Sequence, residues 1–209
     1  MAKRGIRPVL ERLAPGVRAI QWGAFDHAIR LGHASIGSEH VLLALAGADH
    51  PAAAVLRAHG VTPERVEEQV TRRAGGGMFT DLDRTALAAV GIDVDAVCAR
   101  MTESFGPEAL SRAGRASVRD HRSAWWNPRR QYVGPGAQRN GVFLPSRPGV
   151  IQCLHHAHVA EQSRHDSQIS VGHFALGILS VTDGLAPVIL AELSDVPLSA
   201  LRSALMDTR

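Results

Sequence analysis

A single lysine, Lys3, stands among the 209 residues of this sequence. A nucleotide-binding P-loop closes a glycine-rich turn with a lysine whose ammonium reaches the phosphates. Lys3 has no glycine-rich frame, so a P-loop ATPase is excluded. Aromatic residues make up only 4% of the chain and there are two cysteines, too few for a disulfide-stapled scaffold. Cys98 and Cys153 each fall in an apolar periodic stretch and read as reduced core residues. No window approaches the roughly 18 uninterrupted apolar residues that a membrane span needs. The charged stretch Met1 to Arg12 reads as no signal peptide, and a cytoplasmic setting without membrane contact is the expectation. Neither a G-x-S-x-G elbow nor an H-E-x-x-H helix occurs. No catalytic residue or cofactor is therefore assigned, and an enzyme is not expected.

What is present is core material: 45% of the residues are hydrophobic and 21% charged, which excludes a disordered or collagenous chain. The formal charge is +3 and the pI about 9.5, but the basicity is local. Residues 112–147 hold eight arginines (Arg112, Arg115, Arg119, Arg122, Arg129, Arg130, Arg139 and Arg147) against the one acid Asp120. That segment carries about +7 and leaves about −4 for the remainder.

The apolar positions repeat with helical spacing. Val17, Ile20, Ala24, Ala28 and Leu31 mark a first helix that stops at Gly32. Ser38 is placed to cap a second, with Glu39 in its first turn, and Val41, Leu42, Leu43 and Leu45 make that helix apolar enough to be central. A short helix from Pro51 to His59 ends at Gly60, and Thr62-Pro63-Glu64 opens a fourth with Val66 and Val70 inward. The C-terminal third repeats the plan. Val150, Cys153, Leu154, Ala157 and Ala160 form a first face, Gly172 to Leu179 answers Glu39 to Ala46, and Val188 to Leu193 answers Ala53 to Ala58. Val196-Pro197-Leu198 with Leu201 and Leu205 answers Val61-Thr62-Pro63 with Val66 and Val70. A partial third copy, Ala88 through Val97 and Met101, echoes Arg57 through Val66 and Val70. Such repetition predicts an all-α fold of two pseudo-symmetric four-helix repeats, with no strands. Residues 111–145, with Gly134-Pro135-Gly136 and Asn140-Gly141, read as an arginine-rich linker. The expected layout is a first repeat with helical extension over 10–110, the basic linker over 111–145, and a degenerate second repeat over 146–206.

The stretch Leu31-Gly32-His33-Ala34-Ser35-Ile36-Gly37-Ser38-Glu39-His40-Val41-Leu42-Leu43-Ala44-Leu45 resembles the repeat signature of the Clp N-terminal domain, found at the start of the ClpA and ClpC unfoldases. The likeness is specific over residues 10–73 and weaker over 146–206, where Ser170-Val171-Gly172-His173 reads as carrying a one-residue insertion. The whole resembles stand-alone Clp-repeat proteins of high-GC bacteria that lack the AAA+ modules. The resemblance implies a binding module serving Clp proteolysis, with Clp components, their adaptors or clients as partners; a peptidase label would attach only by family association. In ClpC-type relatives a loop glutamate of each repeat contacts the guanidinium of phosphoarginine, and a threonine opening the first helix contacts its phosphate. By position the glutamate is Glu39 in the first repeat and Gly172 in the second. The threonine falls on Ala14 and on Ser146. Glu39 and Ser146 are thus the ligand-binding candidates that the resemblance supplies. Each half-site lacks one polar group, a loss of roughly 1.5–3 kcal/mol for a charge-assisted bond, which argues against tight phosphoarginine binding. Cyclic peptides directed at N-domains are the other small-ligand class implied.

Two further groups invite function. His155, His156, His158, His165 and His173 suggest a metal, but they lack a recognised ligand spacing. His173 matches His40 and His165 falls near His33's place, so the repeat itself accounts for two of them, and no metal is assigned. Trp125, Trp126, Arg129 and Arg130, with Tyr132, offer stacking and phosphate-neutralising groups suited to single-stranded nucleic acid, or a segment that docks on protein. A linker packing partly on the repeats is the favoured reading, and a nucleic-acid-associated protein the alternative.

Overall fold

The structure, a computed structural model, describes residues 6–33, 35–74, 81–105, 137–139 and 142–207. Helix α1 (Ile6–Glu11) leads into α2 (Pro15–Arg30), α3 (Ser38–Ala46), α4 (Pro51–Ala58) and α5 (Pro63–Ala74). An extension of α6 (Asp81–Ala89) and α7 (Val94–Phe105) follows, then strands β1 (Ala137–Arg139) and β2 (Val142–Leu144). The second repeat is α8 (Pro148–Arg164), α9 (Val171–Ile178), α10 (Ala186–Leu193) and α11 (Leu198–Asp207). The fold is all-α as expected. Among the described residues the antiparallel pair β1–β2 departs from this, with Ala137 opposite Leu144 and Arg139 opposite Val142. The two residues between these strands are Asn140-Gly141, a dipeptide suited to a two-residue hairpin; the missing apolar alternation hid the strands. Leu144, at the end of β2, is buried in the common core.

The helices begin where their residues favour it. Proline occupies the first turn of α2, α4, α8 and α10, where its missing N–H leaves no bond unmade. Chain reversals at Gly32 (φ +71°) and Gly60 (φ +82°) use left-handed backbone. The extension copies this device: Gly91 has φ +83°. Asp93 then accepts the Ala96 N–H at 3.0 Å as α7 begins, as Thr62 accepts the Arg65 N–H at 3.4 Å.

A shift of 133 positions carries Pro15 onto Pro148, Ile36 onto Ile169 and His40 onto His173. The same shift relates the contacts between repeats. The Ile36 N–H donates to Pro145 O (2.9 Å) and the Arg147 N–H to Ile36 O (2.8 Å). Their counterparts are Ile169 N–H to Arg12 O (2.9 Å) and Ala14 N–H to Ile169 O (3.0 Å). Each repeat therefore reaches across with one strap, pairing Ile36 with Ser146 and Leu13 with Ile169. Constant spacing from helix start to strap shows that no residue is inserted before His173. The extra residues come later: Ala53 answers Val188 at a shift of 135, which places two inserted residues in the longer connection between α9 and α10.

All nine residues of α3 are buried. It packs on α2, α4 and α5 within its own repeat and on α8, α9 and α10 across the seam. Its counterpart α9 is also wholly buried and touches α2, α3 and α4. One apolar core, including Leu42, Leu45, Leu56, Phe174, Ile189 and Leu201, runs through both repeats. Neither repeat buries its central helix alone, which is why two are needed. Cys153 lies in that core and burial pushes its thiol pKa up. Cys98, by contrast, is only half-buried on α7 and lies outside the core, because α7 packs chiefly on α6. Among the described residues no single helix is long and apolar enough to cross a membrane.

Candidate functional site

The start of α3 gathers the signature residues. Gly37, not Ser38, is the N-cap. The Gly37 N–H donates to His40 Nδ1 at 2.9 Å, so the ring at the third helical position closes the helix start as a Glu or Gln would in a capping box. With Nδ1 accepting, the His40 proton resides on Nε2, which donates to His33 Nδ1 at 2.7 Å. The two rings meet edge to face. His40 is fully buried. That burial, with the charges of His33, Arg147 and His27, lowers its pKa from 6.5 to about 3, so the ring is neutral.

Ser38, freed from capping, spans the seam. Its hydroxyl donates to Asp183 O (3.2 Å) and accepts the Ala186 N–H (3.3 Å). This is the lengthened α9–α10 loop. Gly184 (φ +92°) lies so close that a Cβ there would sit 2.4 Å from Ser38 Oγ and 3.8 Å from Glu39 Oε2. Beneath the loop Glu39 is 3% exposed, with Oε1 3.5 Å from His40 Nδ1. The helix dipole favours a carboxylate there, and the buried position withholds it from solvent.

Ser146 lies in the same seam, paired with Ile36. The 133-position shift makes it the counterpart of Leu13, so Arg147, and not Ser146, occupies the place of Ala14. The misplacement traces to the supposed insertion. Arg147 turns its Nε–H toward Ser35 Oγ at 2.8 Å, adding a side-chain contact to the strap. Similarly, Asp166 rather than His165 takes His33's position, while His165 takes that of Gly32. His165 adopts φ 57° there, a left-handed conformation that costs a non-glycine residue about 1 kcal/mol.

In the second repeat Ser170 caps α9 and its N–H donates to His173 Nδ1 (3.2 Å). His173 Nε2 then faces Asp166 Oδ2 at 3.0 Å, an ion-pair distance without hydrogen-bond alignment. Close by, the fully buried Glu161 pairs with Arg12 from the first repeat and with His158 (3.1 Å). Sequence reading missed this cross-repeat pair, since Ala28 stands at the matching position of the first repeat and the pattern carries no signal for it.

His33, Glu39 and His40 are the group of potential metal ligands that converges among the described residues. The donor chemistry does not suit an ion. His40 Nδ1 is occupied by the Gly37 N–H, so Nε2 bears the proton, whereas a ligating imidazole presents one bare nitrogen and donates from the other. The histidines of α8 are spread apart in use: His155 and His156 stack edge to face and His158 serves Glu161. Trp125, Trp126, Arg129, Arg130 and Tyr132 lie outside the described residues.

Residues 18–78 match the Clp repeat (R) N-terminal domain. The fold is similar to the crystal structure of the N-terminal domain of the caseinolytic protease associated chaperone ClpD from Arabidopsis thaliana. The TM-score is 0.54 at 16% identity, covering 94% of this chain and 93% of that one. At that identity the likeness concerns the fold alone. No curated protein matches the sequence.

Proposed function

We propose that the chain is a non-enzymatic binding module that regulates or assists ATP-dependent Clp proteolysis, acting in the cytoplasm on adaptors, protein substrates or N-domain-directed small molecules. Clp N-terminal domains are non-catalytic modules that bind adaptors and substrates of the Clp machinery, and residues 18–78 match such a domain. The observation that favours a protein or peptide partner over a free phosphoarginine is the burial of Glu39 to 3% exposure beneath the α9–α10 loop. A guanidinium needs that carboxylate open, and its counterpart in the second repeat is Gly172. Ala14 and Arg147 supply no hydroxyl at the helix starts.

The test is the half-life of Clp client proteins in the source cell with the chain deleted and overproduced. The expected outcome is a change of client half-life in opposite directions under the two conditions. Unchanged half-lives would remove the proposal.

A further inference from the structure

The connection between α9 and α10 crosses from the second repeat onto the start of α3 in the first. Val181 and Ala186 bury its two ends, while Thr182, Asp183 and Gly184 between them are exposed. No large apolar side chain anchors this span, and its contacts are polar. Ser38 Oγ donates to Asp183 O (3.2 Å) and accepts the Ala186 N–H (3.3 Å). Thr182 gives its N–H (3.1 Å) and its hydroxyl (3.4 Å) to Gln152 Oε1 on α8. Hydrogen bonds of this kind add little net stability each, and a span with little buried apolar surface lies at the low end of local stability. Beneath it Glu39 is buried, and its ion-pair contact among the described residues is with His40, a neutral ring. A carboxylate kept from water beside a neutral partner gains when its cover lifts or a cation arrives.

The matching place in the other half is built differently. Val171 and Gly172 stand where Ser38 and Glu39 stand, and the α3–α4 connection lacks the two inserted residues. There Gly16 faces the Val171 Cγ2 methyl, where Gly149 faces Ser38 and Asp183 O. The half without a carboxylate thus has neither the hydroxyl nor the added length. We propose that residues 181–185 form a lid, latched by Ser38, that closes Glu39 off and opens to present its carboxylate to a cationic group of a protein partner. The device stands on these contacts, and its purpose rests on the reading of the chain as a binding module.

Carboxyl footprinting of the intact chain with a carbodiimide and an amine reads the lid, because only an open lid admits the reagent to Glu39. In the unaltered chain Glu39 should label at least about tenfold more slowly than the exposed Glu64. Ser38→Ala removes the latch. Gly184→Ala wedges it, since the added Cβ would sit 2.4 Å from Ser38 Oγ. Each should raise Glu39 labelling at least about fivefold, while the Ile36 and Ile169 amides keep their hydrogen-exchange protection. Should both variants fail to fold, the unaltered chain decides: the Ala186 amide, bonded to Ser38, should exchange at least about tenfold faster than those of Ile36 and Ile169. Glu39 labelling unchanged in both variants, a rise matched by equal loss of protection at Ile36 and Ile169, or Ala186 exchange no faster than theirs overturns the lid. Client half-lives that ignore the chain would remove the proposed role and leave this labelling as it is, so the two fail separately.

Discussion

Lowering the pH should destabilise this fold through its buried histidines, and His40 sets the minimum size of the effect. Its folded pKa is about 3 against 6.5 for a free imidazole. Between those values the unfolded chain binds one proton that the folded chain refuses, so stability rises with pH in that window. The contribution is whole above pH 6.5 and is lost as pH falls toward 3. One proton corresponds to about 1.4 kcal/mol per pH unit, so a drop from pH 6.5 to 5.0 costs about 2 kcal/mol. His27, His50, His156 and His173 are also lowered by burial and add in the same sense. Glu67 is lowered from 4.5 by its bond to Arg30, so it adds nothing between pH 6.5 and 5.0. Urea unfolding followed by circular dichroism at pH 7.5, 6.5, 5.5 and 5.0 gives the slope. In His40→Gln the amide can still accept the Gly37 N–H, as in a capping box, yet cannot titrate. The variant should lose stability at neutral pH but show a slope shallower by about 1.4 kcal/mol per pH unit. Equal slopes in the two proteins, or a flat profile from 6.5 to 5.0, would refute a neutral, buried His40.

Other consequences are equally measurable. A Cβ at Gly149 would lie 2.5 Å from Asp183 O, a backbone atom, whereas at Gly16 it meets the Val171 Cγ2 methyl at 2.9 Å. Thermal unfolding should therefore find Gly149→Ala destabilised by about 1–3 kcal/mol and Gly16→Ala destabilised by less. Arg12→Ala takes the arginine from the buried Glu161, leaving the His158 contact, and should cost about 1–3 kcal/mol. Adding Glu161→Leu should recover most of that, and a double-mutant cycle by urea denaturation measures it. Phe174→Ala, at the shared core, should cost about 3–5 kcal/mol and unfold both repeats in one transition; two separate transitions would contradict a common core. Calorimetric titration with phosphoarginine should give no heat, because Glu39 is closed off.

The helices were legible because burial enforces their period. Val17, Ile20, Ala24 and Ala28 line one face of α2, and the helix carrying Val41, Leu42, Leu43 and Leu45 proved central. Gly32 and Gly60 marked reversals correctly because left-handed backbone selects glycine. Ser38 misled for a physical reason: a serine hydroxyl suits a cap and a cross-chain bond alike, and only the fold brings Asp183 and Ala186 within its reach. The offset between repeats was readable as 133 before His173 and 135 after Val188. Taken strictly, it would have placed Arg147 and Asp166 correctly and exposed the lengthened loop that covers Glu39. The Arg12–Glu161 pair was not readable, since ion pairs between repeats leave no periodic trace.

Co-purification tests the proposed role as a Clp-associated binding module most directly. The intact chain, tagged and expressed at its natural level in the source cell, would be isolated without cross-linker and its partners quantified by mass spectrometry. The account predicts enrichment of Clp unfoldase or protease subunits, their adaptors or their clients. Enrichment of none of these, in preparations where the chain itself is recovered folded, would contradict it.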